Sequence, residues 1–408
     1  MIYNALRYIL YPFIGVVAVL DSKKREFLKK RFFQSLDSLK VNEEYIWIHC
    51  SSVGEVNLSD TLIKSLLKTI GKRILITTFT DTGYETAKSR YQNEEQIDIL
   101  YFPLDDKSCI KKILKKIKVQ LLIIIETEIW PNLIKEVKKS GAKTIFVNGR
   151  ISDKSLDRYK KLSTYLKNLF KNVDAFYMQT HRDAGRIIEI GATSSKVEVV
   201  GNLKFDIELT HYSENELQEY KKQLGLGNEK IFVAGSTRKG EDEQLLEVFK
   251  RLDGYTLILV PRHLERVEEI EKLISKFGFS YKKSSEKLLE KKDVILINEM
   301  GILRKLYAIS DVSFVGGTLV NIGGHSLLEP LFYGKTPIFG PYIQNVKDIA
   351  EEASKRDIGY MVKTTEEFLK KIKRVETEEQ TEEKILEFFS ENKDVVKKVT
   401  DRIKNLIK

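Results

Sequence analysis

The sequence predicts an α/β protein built from two doubly wound, Rossmann-like domains, and three observations carry that prediction. From Tyr45 onward, short apolar runs alternate with charged stretches of helical period, the pattern of a parallel sheet covered by helices on both faces. The alternation pauses near Val199–Tyr212 and then restarts, so it is laid down twice. The chain has 408 residues, beyond the roughly 250–300 at which a single core stops growing. A first domain at 41–205 and a second at 206–408 follow, preceded by a distinct segment at 1–40.

In that first segment, Met1–Leu20 carries one charge, Arg7, and Tyr8–Leu20 is apolar apart from its tyrosines, Pro12 and Gly15. Such a run falls short of the ~20 residues that span a bilayer. No small-x-small cleavage site follows Leu20, which argues against a secretory signal. Instead come Asp21 and then Lys23, Lys24, Arg25, Lys29, Lys30 and Arg31. Aromatics beside a basic cluster predict a membrane-anchoring segment on an anionic surface, with the cluster on the cytoplasmic side at about 1 kcal/mol per charge. The competing reading is a hydrophobic helix that packs on the protein itself.

Strand candidates in the first domain are Tyr45–His49, Arg73–Phe79, Ile97–Tyr101, Gln120–Ile125, Thr144–Val147 and Val173–Tyr177, separated by helical stretches such as Leu58–Thr69 and Ile129–Lys139. Those in the second are Lys230–Ala234, Tyr255–Val260, Val294–Ile297, Val312–Val315 and Thr336–Phe339. The tail Glu376–Lys408 is charged and helical in period, with an apolar stripe from Ile385 through Val399 to Leu406, and it is free to pack back across the domain boundary.

The net charge of +10 comes from 69 basic and 59 acidic residues, and it suits an anionic partner or simply a lysine-rich solvated surface. Nucleic acid fits poorly, because interleaved aromatics and a dense basic stripe are missing. Cys50 and Cys109 make neither a disulfide framework nor a four-ligand zinc site, and His49, His181, His211, His263 and His325 lack ligand spacing.

Ligands of open α/β sheets bind beyond the carboxyl ends of the strands, so motifs there carry the function. In Phe314–Pro330 an apolar strand runs into Gly316-Gly317, a loop, Gly323-Gly324 and a helix start expected at Ser326. Glycines admit close backbone approach and the first-turn N–H groups attract anions, which predicts a phosphate cradle. Glu329 reads either as the partner of Ser326 in a capping box or as a carboxylate that accepts two ribose hydroxyls. Gly235-Ser236-Thr237-Arg238 reads as a phosphate nest or an ordinary turn. Pro261-Arg262-His263 follows an apolar run, so Arg262 is placed to reach phosphate or base. In the first domain, Trp47–Glu55 puts Glu55 where a strand turns into a helix, either complementing the helix N-terminus or serving as a base. Glu126 and Glu128 follow the apolar run Leu121–Ile125, and alternation alone does not decide which faces a ligand.

Taken together, His49-x-x-Ser52-x-Gly54-Glu55, Glu126-Thr127-Glu128-Ile129-Trp130-Pro131-Asn132, Gly201-Asn202-Leu203-Lys204 and Gly323-Gly324-His325-x-Leu327-Leu328-Glu329-Pro330 make the chain resemble the 3-deoxy-D-manno-octulosonic acid (Kdo) transferase family along nearly its whole length. The resemblance implies a GT-B fold, with two Rossmann-like domains facing a central cleft. It also implies a CMP-Kdo donor, a lipid A precursor as acceptor, no metal or other cofactor, and a place at the inner (cytoplasmic) membrane with the catalytic domains on the cytoplasmic side. By the same resemblance Glu55 is the general base, Glu126 lies near the reacting centre and Lys204 offsets charge on the sugar carboxylate and its leaving group. Pro261, Arg262, Met300, Gly301, Ile302, Ser326, Leu327, Leu328 and Glu329 are the expected donor-binding residues. Rival readings are another GT-B enzyme that uses a UDP-sugar, such as a lipid-disaccharide synthase or an epimerase, and a non-catalytic, membrane-docked nucleotide-binding module.

Overall fold

A strand in the middle of a parallel sheet needs apolar cover on both faces, so its residues are apolar almost without interruption. A computed structural model, describing residues 2–206, 210–286, 290–378 and 381–407, contains two such sheets, each of seven strands among the described residues. The first has β1 (Glu44–His49), β2 (Arg73–Thr78), β3 (Ile97–Tyr101), β4 (Lys118–Ile125), β5 (Lys143–Gly149), β6 (Ala175–Met178) and β7 (Val197–Val199). Its order is β3-β2-β1-β4-β5-β6-β7, with every pairing parallel. The second has β8 (Lys230–Thr237), β9 (Tyr255–Pro261), β10 (Tyr281–Lys283), β11 (Val294–Leu296), β12 (Val312–Val315), β13 (Pro337–Phe339) and β14 (Tyr360–Met361). Its order is β10-β11-β9-β8-β12-β13-β14, again all parallel. Strand order reverses between β1 and β4 in one sheet and between β8 and β12 in the other, and a crevice opens at each reversal.

Alternation along β1 explains why both faces of the first sheet are apolar. Tyr45 and Trp47 join one core with Leu122, Ile124, Phe146 and Phe176, while Ile46 and Ile48 join another with Leu121, Ile123 and Ile145. Val395, Val399 and Ile403 of the terminal helix Val395–Leu406 complete this second core, and Asp206 accepts the N–H of Val396. Residues Asn392–Lys408 therefore group with Met1–Ile207, and Glu208–Glu391 form the other unit. The range 206–408 thus divides at Asn392: the last helix crosses back to find its cover on the first sheet, while Ile385 and Phe388 of the same stripe stay with the second unit.

The segment 1–40 also belongs to the first unit. It forms the helices Ile2–Leu20 and Ser22–Phe32, parted by Asp21, whose carboxylate caps the second by accepting the N–H groups of Lys23 and Lys24. Among the described residues no helix is long and apolar enough to cross a membrane. The start of the first helix is docked by polar contacts: Tyr3 donates to Asp105 (2.8 Å), Arg7 to the Leu104 carbonyl (2.7 Å) and Tyr11 to Asp106 (2.7 Å). Its other end leaves Val19 72% and Leu20 80% exposed. Lys23, Lys24, Arg25 and Lys29 are exposed beyond it. Arg31 departs from the lipid-facing cluster expected of it. It is fully buried, stacked 3.5 Å over Phe27 and paired with Asp81 at 2.9 Å, because a guanidinium sheds water readily once it has a carboxylate and a ring face.

Three strands escaped the sequence reading: β7, β10 and β14, two or three residues each, all at sheet edges. So short a segment carries no periodicity; it is a strand only because its neighbour supplies a ladder.

Candidate active site

The first crevice is built where β1 and β4 end. Beyond β1, Cys50-Ser51-Ser52 turns into the helix Val53–Ile70, which Gly71 closes in a left-handed conformation (φ 69°). Glu55 lies in the first turn of that helix and is 8% exposed. Its Oε2 accepts the Ser51 N–H at 2.7 Å and its Oε1 the Ser52 hydroxyl at 3.1 Å. Burial, then the charge of Glu128, push its carboxyl up to about 8, against the pull of the Ser51 N–H.

Glu128 is fixed by a chain of hydrogen bonds. Trp47 Nε1 donates to Thr77 Oγ1 (2.9 Å), which is 3.0 Å from His49 Nδ1. His49 Nε2 and Trp130 Nε1 each lie 3.0 Å from Glu128 Oε2. A carboxylate only accepts, so His49 donates through Nε2 to Glu128. Although burial works the other way, the His49 bond and charge hold the Glu128 carboxyl below its ordinary value. Two neighbouring carboxyls are thus driven apart, one towards the proton and one away from it. Glu126 stands at the end of β4 in a left-handed conformation (φ 60°), its N–H bonded to the Val147 carbonyl at 2.9 Å. That conformation costs a non-glycine residue of order 1 kcal/mol or more, and such strain gathers at functional sites. Lys204 lies in the turn Leu203–Asp206. Asn148 at the end of β5 accepts the Leu203 N–H (2.9 Å) and Asn202 accepts that of Lys204 (3.0 Å), so Gly201-Asn202-Leu203-Lys204 is tied to the carboxyl edge of the first sheet.

The second crevice holds a cavity of about 460 Å³ whose wall includes Ser236, Pro261, Arg262, Met300, Gly301, Arg304, His325, Ser326 and Glu329. Sequence-separated motifs at the ends of β8, β9 and β12 meet here. Ile302, Leu327 and Leu328 are not on this wall: Ile302 precedes the helix Leu303–Ile309, and Leu327 and Leu328 are core residues. The place of the two leucines in the motif is packing.

The expected helix start at Ser326 is also corrected. The helix is Leu328–Phe332, five residues long, and no side chain caps it. Glu329 instead pairs with Arg304 at 3.3 Å, so the capping box does not form. Nor does the glycine doublet Gly316-Gly317 offer its amides to solvent. The N–H groups of Gly317, Thr318 and Leu319 donate to the buried carboxylate of Glu241, at 2.7, 2.9 and 2.8 Å. That part of the expected phosphate cradle is filled by an anion of the protein's own, while Ser326 from the same stretch lies on the cavity wall. Glu241 was missed because in Lys239-Gly240-Glu241-Asp242-Glu243 nothing distinguishes it from a solvated charge.

Positive charge lies elsewhere in this crevice. Arg238 donates from Nε to His325 Nε2 (3.2 Å) and from Nη1 to His263 Nε2 (2.5 Å), so both rings accept through Nε2. Burial, then Arg238, Arg262 and His263, depress His325 to about 4, leaving it neutral above that pH. Burial and Arg262 likewise lower Arg238. Among the described residues Arg262 has no ion-pair partner. The buried charge of Glu241 acts on Arg238, but among the described residues neither guanidinium has a carboxylate at ion-pair distance, and like charges so held attract an anion.

Gly316 is required by close approach: a Cβ there would lie 2.3 Å from the Ser236 carbonyl oxygen. Gly316→Ala is expected to destabilise the fold by about 1–3 kcal/mol, measured by urea unfolding.

Two parallel sheets with a crevice at each reversal of strand order define the class: an α/β protein resembling GT-B glycosyltransferases. A solved glycosyltransferase from Rickettsia africae shares the fold, with a TM-score of 0.56 over 90% of this chain and 99% of that one at 16% identity. The family model for 3-deoxy-D-manno-octulosonic-acid transferase (kdotransferase) matches residues 26–207. The 3-deoxy-D-manno-octulosonic acid transferase of Aquifex aeolicus is 36% identical over 366 residues, covering 87% of this chain and 94% of that protein. The chain belongs to this transferase family and is a glycosyltransferase. It is also 54% identical over 401 residues to a bifunctional glycosyltransferase/methyltransferase of Fusobacterium nucleatum, and spans 61% of that relative's length.

Proposed function

We propose that the protein transfers Kdo from CMP-Kdo to a lipid A precursor in lipopolysaccharide synthesis, by direct displacement at the anomeric carbon with inversion. Glu55 is the base. The observation that carries this reading is a buried carboxyl of raised proton affinity beside an ionised one, in a chain of the Kdo transferase family. A carboxyl near 8 takes the acceptor hydroxyl's proton more readily than an ordinary carboxylate does. Glu126 orients the acceptor, and Lys204 offsets the charge of the sugar carboxylate and of the departing CMP. In the second unit Arg238 and Arg262 receive the phosphate, Met300 and Gly301 border the base, and Glu329 accepts the ribose hydroxyls. No metal takes part in this reading.

The lipid acceptor calls for a membrane address. Exposed Tyr8, Ile9, Val19 and Leu20 beside Lys23, Lys24, Arg25 and Lys29 suit shallow insertion into the anionic inner-membrane surface, with the catalytic units on the cytoplasmic side.

Incubation with CMP-Kdo and a lipid A precursor, followed by mass spectrometry, is expected to show the mass gain of a Kdo unit. No gain, or tighter binding of UDP than of CMP, overturns the assignment. Glu128→Gln removes the charge that raises Glu55, so the rise of kcat/KM with pH is expected to move to lower pH in a pH–rate profile.

A further inference from the structure

Glu241 is fully buried, yet among the described residues no basic side chain pairs with it. Its Oε2 accepts the N–H groups of Arg238 (2.8 Å) and Gly317 (2.7 Å), and its Oε1 those of Thr318 (2.9 Å) and Leu319 (2.8 Å). A carboxylate has about four acceptor positions, and all are used. The donors come from two loops, one after β8 and one after β12, the strands between which the sheet's order reverses. Burial raises this carboxyl, and the four amides oppose that rise. An ionised acceptor is what four converging N–H dipoles select.

The clamp reaches the cavity by two routes. Along the first loop it fixes the backbone of Arg238 itself. Along the second it holds the Gly316–Leu319 turn, whose carbonyls at Gly316 and Gly317 accept the N–H groups of His325 (3.2 Å) and Gly324 (2.8 Å). His325 stands on the cavity wall and accepts from Arg238 Nε. Both partners of that contact therefore depend on one internal carboxylate.

We propose that Glu241 is a positioning residue for the donor: an internal anion that joins the two loops and sets Arg238 and His325 where the donor's phosphate is received. This rests on reading the cavity as the nucleotide site, and binding of CMP to the unmodified protein tests that reading separately. Glutamine at position 241 has one acceptor oxygen, and its NH2 faces two N–H donors, so Glu241→Gln opens the clamp without changing the side chain's shape.

In the full-length protein, Glu241→Gln and Glu241→Ala are expected to weaken CMP binding by calorimetry about tenfold or more. The KM for the sugar nucleotide should rise in step while kcat stays within about threefold. Millimolar formate, small enough for the space Glu241→Ala leaves, is expected to restore CMP affinity in that variant and to leave the unmodified protein unchanged. CMP affinity equal to the unmodified protein's in both variants overturns the proposal. So does a folded Glu241→Ala whose kcat falls as far as its donor affinity and which formate does not rescue. Where neither variant is recovered folded, Glu241→Asp in a double-mutant cycle with His325→Ala decides. Non-additive losses of CMP affinity support a shared route, and additive losses overturn it. If the unmodified protein does not bind CMP, the nucleotide-site reading fails first, and the proposal with it.

Discussion

Glu55→Gln is expected to lower the rate of sugar transfer by roughly 10²–10⁴-fold, the range that a positioned base contributes, while leaving CMP affinity unchanged. The substitution keeps an acceptor oxygen for the Ser51 N–H and turns its NH2 to the Ser52 hydroxyl, which can accept, but it cannot take a proton. In the unmodified enzyme only the ionised carboxylate is a base, so kcat/KM is expected to rise with pH through about 8, and that limb should vanish in the variant. Stability provides a second readout. The folded state holds this proton up to about pH 8, whereas an unfolded glutamate releases it near ~4.3. Between those values the unfolded state binds fewer protons, so the native fold loses stability as pH rises, and Glu55→Gln removes that loss. Melting temperatures at pH 6 and pH 9 check it: the variant should gain on the unmodified protein at the higher pH. An active Glu55→Gln with the limb intact would remove Glu55 from the mechanism.

Arg262→Ala is expected to weaken CMP binding by about 10- to 100-fold, the worth of one to two charge-assisted hydrogen bonds. Arg262 sits at the end of β9 with its N–H bonded to the Thr237 carbonyl at 3.1 Å, so its backbone is fixed while its side chain is exposed. Arg238 nearby contacts two imidazoles rather than a carboxylate, and Glu241, the acid closest in the chain, is consumed by amides. A phosphate is the counter-ion this arrangement lacks. Binding should weaken with added salt in the unmodified protein and depend on it less in the variant. Arg262→Lys, which keeps the charge but loses the planar fork, should recover only part of the affinity. Calorimetry at two ionic strengths separates these outcomes, and unchanged CMP affinity in Arg262→Ala would place the phosphate elsewhere.

Much of the second crevice was legible because strand ends announce themselves. An apolar run that stops at Pro261-Arg262, and another that stops at Gly316-Gly317, must deliver those residues to the carboxyl edge of a parallel sheet. Pro261, Arg262, Met300, Gly301, Ser326 and Glu329 accordingly share one cavity wall. Leu327 and Leu328 came along in the same motif, and only packing tells a core leucine from a lining one. Glu329 had two chemically sound partners in the sequence, and the short helix Leu328–Phe332 left it to a third, Arg304.

By itself the sequence determined the repeated βαβ plan, the strand ends at which functional side chains emerge, and the glycines that allow close approach, since all of these follow from local periodicity and backbone sterics. Only the tertiary structure decided which charges are buried together. Arg31 against Asp81, His49 against Glu128, and Glu241 against the amide of Gly317 are partners 50, 79 and 76 residues apart in the chain. A charge in sequence looks solvated until the fold removes its water, and what replaces that water comes from distant segments that no local pattern reveals.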